Sequence, residues 1–455
     1  MKVYDIAIVG GGIGGLISAY NLLSKEITLS LAIIEKGKEI ENRRCPAGEQ
    51  CCSSPYCYIL AGIGGAGGFS DGKITWSPTI GIHYESAPYF SQNLDKYFQR
   101  LYSIFKAYSP YGKIYGNKNK IIKASDKTVI KSYPGLHIGT DGIRLFVKKM
   151  YDYIISKGAN IYVGWEVIDI KIDRQREFYI LHLKNSKNDH NFIKSKHLIL
   201  STGLEGAVFI EKIANKFNIP LMNRVADIGI RLESHASVFK KFMDEYYDFK
   251  IYFLSSNGLN LRTFCVNHQG FVLTENHKQL GISGVNGNSY FNKKSSMTNF
   301  AILAEIALKK ISDPIIYVRT TAKKLNIQGY PILQPLYDFL DVKPPLSLQT
   351  LTPTNKKVRQ GNIRKLLPVE LYTAFKEFIT ELINAFPSLK QYGGFIYAPE
   401  LKYFQYKIPI NEFCCNQQTG IYFIGNASGY TANIVGASIM GLIATDNILK
   451  KEGYI

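Results

Sequence analysis

The first thirty-six residues constrain the fold more than any other stretch. Residues 5–9 read Asp-Ile-Ala-Ile-Val, an apolar run the length of one buried strand. Gly10, Gly12 and Gly15 follow at GxGxxG spacing, and Leu16, Ala19, Leu22 and Leu23 then recur at helical intervals. A second apolar run, residues 31–34, ends in Glu35. Strand, glycine turn, helix, strand and acid, in that order, make a dinucleotide-binding βαβ unit. Gly10 permits the tight turn, Gly12 lets backbone N–H groups approach a pyrophosphate, and Gly15 lets the helix pack on the sheet. The helix N-terminus, at Ile13 and Gly14, offers unpaired N–H groups and a positive dipole end to the phosphates. Glu35, twenty residues beyond Gly15, is placed to accept hydrogen bonds from a ribose 2′-OH. A carboxylate there repels a 2′-phosphate, which favours FAD or NAD over NADP.

A chain of 455 residues can bury a large core and predicts two or three domains. A net charge of +19 raises nucleic acid, anionic membrane or an acidic substrate as partners. The lysines, however, are spread among Asn and Ile without a compact basic run, so no nucleic acid partner is expected. No apolar run reaches the roughly 20 residues that span a bilayer, and no signal peptide is seen, so no membrane association is expected. Residues 434–449 read instead as a buried helix. Seven cysteines without a secretion signal point to the reducing cytoplasm. Oligomeric state is not legible.

Cys45, Cys51, Cys52 and Cys57 crowd into thirteen residues, but their spacing matches neither CxxC pairs nor a ferredoxin run. No metal site is expected from them. Reduced loop thiols are the main reading, with a redox-active pair and a cluster left open. Residues 62–73 are a second glycine-rich stretch with no helix and strand after it, which predicts a backbone loop lying against a cofactor. Ser70, Asp71 and Lys73 are its functional side chains. Residues 86–108 are aromatic and helical in pattern. Thr140 or Asp141 is expected to cap a helix over 143–155. Residues 227–233 alternate as a strand with charges on one face, and 347–364 read as an exposed loop. Residue 425 ends a late strand that runs into small residues, and a helix N-terminus near Val435, Gly436 and Ala437 follows.

These pieces together resemble the glutathione-reductase-like flavoprotein superfamily. Ser201-Thr202-Gly203 looks like its central strand motif, and Gly425-Asn426 like its ribitol motif, with Asn426 in place of the usual Asp. A narrower resemblance is to the bacterial FAD-dependent (FAD-utilizing) dehydrogenase family. It rests on Cys45-Pro46, GxGGAGxFSDGK (62–73), GTD (139–141), IGxRxE (228–233), RTFCV (262–266), VNGxSY (285–290), NFA (299–301) and PExK (399–402). The resemblance implies an α/β chain with a Rossmann-like FAD-binding domain over 1–205 and 395–455 and an inserted α+β substrate domain over 206–394. It implies FAD contacts from Gly10, Gly12, Ile13, Gly14, Gly15, Glu35, Lys36 and Arg44, from Gly65, Ser70 and Asp71, and from Val167 at the adenine. Thr202, Gly203, Gly425, Asn426, Val435, Gly436 and Ala437 complete that set.

The chemistry then expected is hydride exchange between flavin N5 and a small organic substrate. No second complete nucleotide-binding unit is present, which leaves a transiently visiting NAD(P)H, the substrate itself or a protein carrier as the electron source. Lys73 is the candidate cation near the ring. His137, Glu400 and Lys402 are candidate acid–base groups. Arg231, Arg262 and Asn286 are candidate substrate contacts. The alternatives are a flavin monooxygenase and an FAD-containing RNA-modifying or non-catalytic binding protein.

Overall fold

Leu31–Glu35 is buried at all five positions, as a strand covered on both faces of a parallel sheet must be. It pairs in parallel with Lys2–Val9 on one side and Asn160–Val163 on the other. Lys2–Val9 pairs in parallel with His190–Leu200, to which Phe178–Asn185 and Trp165–Asp173 attach as an antiparallel meander. Tyr422–Phe423 joins the end of His190–Leu200 in parallel. The computed structural model describes the chain except residues 26, 45–53, 76, 78–93, 110, 117–118, 124–125, 224, 308–310 and 403. Among the described residues these strands make one seven-stranded sheet. Ile13–Leu23, Leu94–Tyr108, Gly139–Ser156 and Ile434–Lys451 share one hydrophobic cluster with it, and Ala207–Lys216 belongs to another.

Two glycines of the turn are fixed by close approach. A Cβ on Gly15 would lie 2.2 Å from the Gly10 carbonyl oxygen, and one on Gly10, whose φ is +104°, would lie 2.3 Å from that of Ser201. The first contact is the tight helix–strand packing read from the motif. The second shows that Gly10 also lets His190–Leu200 run into the same loop.

A second, twelve-stranded sheet among the described residues centres on Ala226–His235, paired antiparallel with Met297–Ile306 and Phe395–Leu401. Asn260–Asn267 extends it beyond Met297–Ile306, and Ile282–Asn288 and Phe271–His277 extend it beyond Phe395–Leu401. Ile228, Ile230 and Leu232 point into a core shared with Phe300, Phe375 and Phe378. The alternate residues Asp227, Arg231 and Glu233 are buried as well. The charged face read from the sequence therefore exists, but it is an interior face.

The expected boundaries shift. Lys120–Lys123, Thr128–Ser132 and Phe395–Leu401 all pair within the larger sheet, although they fall inside the stretches assigned to the dinucleotide unit. The helix after residue 138 starts at Gly139 with no side-chain cap. Thr140 Oγ1 donates instead to Ser289 O, and Asp141 accepts from the N–H groups of Phe291 and Asn292. Both candidate caps thus tie the helix start to the second sheet. The 347–364 segment is only partly exposed: residues 347–350 are exposed, whereas Thr354 bonds Glu233 and Ile363 is buried. No helix among the described residues is long and apolar enough to cross a membrane.

Candidate functional site

Helix Ile13–Leu23 begins at Gly12 without a side-chain cap, so its first N–H groups are available to a ligand. Gly10, Gly12, Ile13 and Gly14 line a cleft, and a Cβ on Gly12 would meet nothing nearer than 3.8 Å. The second glycine stretch runs alongside. Gly12 and Gly64 form a parallel bridge, and Gly65, Ser70, Asp71 and Lys73 line the same cleft. Arg43 anchors this second loop: its buried guanidinium donates to the carbonyls of Tyr58, Ile59, Ile63 and Gly65 and lies over the Phe69 ring. Arg44, the residue expected at the cofactor, is exposed and outside the cleft lining. The cleft contains about 1690 Å³ of space between atoms, its open mouth included.

Glu35 lines the cleft, yet its carboxylate is largely spoken for. Oε2 accepts from Gly11 N at 2.8 Å, and Oε1 accepts from Gly37 N at 2.8 Å and Gly62 N at 2.9 Å. A carboxylate has about four acceptor positions, so three backbone donors leave little for a ribose. Lys36, Trp165, Glu166 and Val167 line the cleft close by, with Lys36 Nζ 3.9 Å from Glu166 and 3.7 Å from Glu205. Thr202 and Gly203 follow the strand His190–Leu200 into the lining, and a Cβ on Gly203 would point into open space.

Gly425 and Asn426 line the cleft, as do Val435 and Ala437 at the start of Ile434–Lys451. Asn433 caps this helix by accepting from Gly436 N at 2.6 Å. Gly436 is therefore not among the lining residues, and its N–H is already used.

The opposing lining carries charge, from the larger sheet and from the end of the second glycine stretch. Lys73 Nζ donates to Val266 O and lies 2.9 Å from Asp71 and 3.5 Å from Asp248. Lys250 donates to Asp248 at 2.8 Å. Two acids and two lysines thus form a balanced quartet, all of it lining the cleft. Lys73, the candidate cation near a ring, lines the cleft paired with two acids. Burial alone would lower its pKa, but Asp248 and Asp71 outweigh burial and raise it. Lys250 goes the other way: burial lowers its pKa, Lys73 adds to that, and Asp248 only partly restores it. Cys265 also lines the cleft, on a bulged strand with a φ of +54°, and burial raises its thiol pKa.

Of the remaining candidates, Lys402 and Asn286 reach the cleft, and Lys402 Nζ donates to Asn286 Oδ1 at 3.3 Å. Arg231 and Glu400 do not. They form a fully buried two-bond pair at 2.9 and 2.8 Å, and Arg231 also donates to Asn267, Asn299 and Asn286. Arg262 grips Asp227 outside the cleft lining. His137 is buried outside it too, stacked on Tyr247 at 3.7 Å and bonded to Ser289, and burial holds its pKa well below 6.5. The sequence reading missed Asp248, Lys250, Glu205 and Cys265. Cys265 stood inside a quoted motif and Glu205 two residues after another. Asp248 and Lys250 carried no motif signal.

Among the described residues no group of three or more His, Cys, Asp or Glu could hold a metal ion. Cys45, Cys51 and Cys52 lie outside the described residues. Cys57 is buried, and burial pushes its thiol up to about 11.

No protein-family model matches the chain, and no curated protein matches it. Solved structures similar to it include a flavoprotein/dehydrogenase from Cytophaga hutchinsonii, at 11% identity and a TM-score of 0.46 over 100% of this chain and 80% of that one. A geranylgeranyl bacteriochlorophyll reductase-like protein from Thermoplasma acidophilum is 13% identical, with a TM-score of 0.42 over 100% of this chain and 80% of that one. The flavin-dependent halogenase CmlS is 10% identical, with a TM-score of 0.42 over 99% of this chain and 57% of that one.

Proposed function

We propose that the cleft binds FAD and that the chain is an FAD-dependent oxidoreductase acting on a small organic molecule. The seven-stranded sheet is then a glutathione-reductase-type FAD-binding domain, and the larger sheet supplies the substrate side. One observation carries this reading: an uncapped helix N-terminus, a second glycine loop and the start of a second helix line one cleft. An uncapped helix N-terminus and glycine backbone suit an anionic, extended ligand better than a compact neutral one. The cradle at Gly12, the open space at Gly203 and the buried, unpartnered Thr202 Oγ1 fit such a group.

The N–H groups at 12–15 would hold the pyrophosphate, with Val167 and Trp165 beside the adenine. Thr202, Gly203, Gly425 and Asn426 would lie along the rest of the cofactor, and Val435 and Ala437 near its ring. When bound, FAD would supply two-electron redox chemistry. The chain's own task is to place the substrate and manage protons. Lys250 is the lining cation best suited to give up a proton, because burial favours its neutral form. Asp71 and Asp248 hold Lys73 charged and fixed, which orients Asp248 toward Lys250. Lys402, 3.5 Å from Glu400, and Asn286 present polar groups to the cleft.

The deciding measurement is the absorption spectrum of the purified protein before and after anaerobic NADH or NADPH. A flavin spectrum that bleaches supports FAD with nicotinamide as reductant. A flavin spectrum that stays oxidised moves the search to substrates that reduce it directly. Failure of the protein to bind added FAD would end this reading.

A further inference from the structure

Three lysines line the facing wall of the cleft, and the protein uses their ammonium groups unequally. An ammonium carries three N–H donors. Lys73 Nζ has three acceptors around it: Val266 O at 2.8 Å, Asp71 at 2.9 Å and Asp248 at 3.5 Å. Lys250 donates to Asp248 at 2.8 Å, and its side chain is 5% exposed. Lys402 differs from both. Its side chain keeps 10% exposure, and its hydrogen bond is a long one, to Asn286 Oδ1 at 3.3 Å. Glu400 lies 3.5 Å away but spends both oxygens on the Arg231 guanidinium, at 2.9 and 2.8 Å. Glu275, the other carboxylate near Lys402, accepts from Asn286 Nδ2, and burial raises its pKa in spite of Lys402, which weakens it as a counter-charge. Lys402 is thus the lysine of this wall with donors to spare and surface open to the cleft.

Its surroundings say what it would hold. Lys402 directly follows the strand Phe395–Leu401, and its Nζ lies 5.6 Å from the centre of the Phe264 ring. Phe264 also lines the cleft and offers an apolar surface to a carbon body beside the ammonium. A neutral carbonyl or hydroxyl would take up one donor. A carboxylate can take two and supplies the opposite charge, and such charge-assisted bonds are about twice as strong as neutral ones. We infer that the substrate is an organic carboxylate, its oxygens accepting hydrogen bonds from Lys402 Nζ and its carbon body resting against Phe264. This rests on the oxidoreductase reading and names the substrate class of that same site.

The test loads the protein with FAD, records its flavin spectrum, and then measures binding of benzoate and of benzamide by calorimetry. The two probes share one flat shape and differ in charge. Wild type should bind benzoate at least about tenfold more tightly than benzamide. Lys402→Met, shown by circular dichroism to be folded, should weaken benzoate about tenfold to a hundredfold, the worth of a hydrogen bond to a charged group, and benzamide less than about threefold. Lys250→Met should weaken benzoate less than Lys402→Met does. No benzoate binding by wild type, equal binding of the two probes, an equal loss of both in Lys402→Met, or a larger loss in Lys250→Met would each overturn the assignment. The comparison of probes on wild type needs no variant, so a misfolded Lys402→Met still leaves the inference exposed to refutation. A protein that takes up no flavin yet binds benzoate through Lys402 would break the FAD reading and keep the anion site.

Discussion

The cleft has two unlike walls. The wall beside Lys2–Val9 and Leu31–Glu35 presents backbone at its centre, glycine N–H groups and an uncapped helix start, with Lys36, Trp165, Glu166 and Val167 at one end. The facing wall presents charge: Asp248, Lys250 and Lys402 on or beside the larger sheet, with Lys73 reaching them from the second glycine stretch and Lys402 lying 3.5 Å from Glu400 of the buried Arg231–Glu400 pair. The first is suited to a ligand whose shape is constant. The second can be re-lettered side chain by side chain without disturbing the first, which suits a part of the site that meets a variable substrate. The lesson is that rigidity comes from opposite sources. Close backbone approach stiffens one wall, and a hydrogen-bonded ionic network stiffens the other.

That contrast can be broken most directly at Arg231. Arg231→Met leaves Glu400 buried without its two donors and should cost about 3–5 kcal/mol, read as a lowered urea midpoint. Arg231→Met combined with Glu400→Met should recover most of that loss, because no buried charge then stands alone. A double variant as unstable as the single would show that the pair is not the strut of its wall.

The larger sheet should also be the acid-sensitive part. His277 is 3% exposed and burial holds its pKa down to about 4 from 6.5. Between those values the unfolded chain takes up a proton that the folded chain refuses, so stability is full above pH 6.5 and is lost as pH falls toward 4. The loss is about 3 kcal/mol at 1.4 kcal/mol for each pKa unit. His277→Phe should flatten that limb of the stability curve, and an unchanged slope would place the acid sensitivity elsewhere.

On the backbone wall, Gly15→Ala pushes a methyl group to 2.2 Å from the Gly10 carbonyl oxygen. A cost of about 1–3 kcal/mol is expected, with FAD affinity falling at the same time because the turn itself must move. Retained affinity in a destabilised protein would separate packing from binding at this turn. The smallest effect is expected at Arg44. It is exposed, and Arg44→Ala should leave stability within about 0.5 kcal/mol and flavin affinity within twofold. A large loss of affinity there would extend the backbone wall to a side chain that the cleft lining does not include.

The two walls were unequally legible. The strand, turn, helix and acid of residues 5–35 were readable because each signal lies within one local unit and each glycine answers one local steric demand. The helix start near 434 and the charged face of 227–233 were readable for the same reason. What those charges do was not. Arg231 meets a partner 169 residues away, and Lys73 bonds a carbonyl 193 residues away, distances over which periodicity says nothing. Adjacent arginines gave no sign of which was buried: Arg43 points inward to four carbonyls while Arg44 faces out. Thr140 and Asp141 had the chemistry of helix caps, but tertiary partners at 289–292 claimed both.

Glu35 limits how this scaffold can diversify. In a βαβ unit whose strand-end acid touches only ribose, a single exchange of that residue retunes the choice between nucleotides. Here the same carboxylate clasps the backbones of Gly11, Gly37 and Gly62, so exchanging it would unfasten three loops at once. The position is closed to gradual change. Any drift in nucleotide preference has to pass through side chains that hold no loop together.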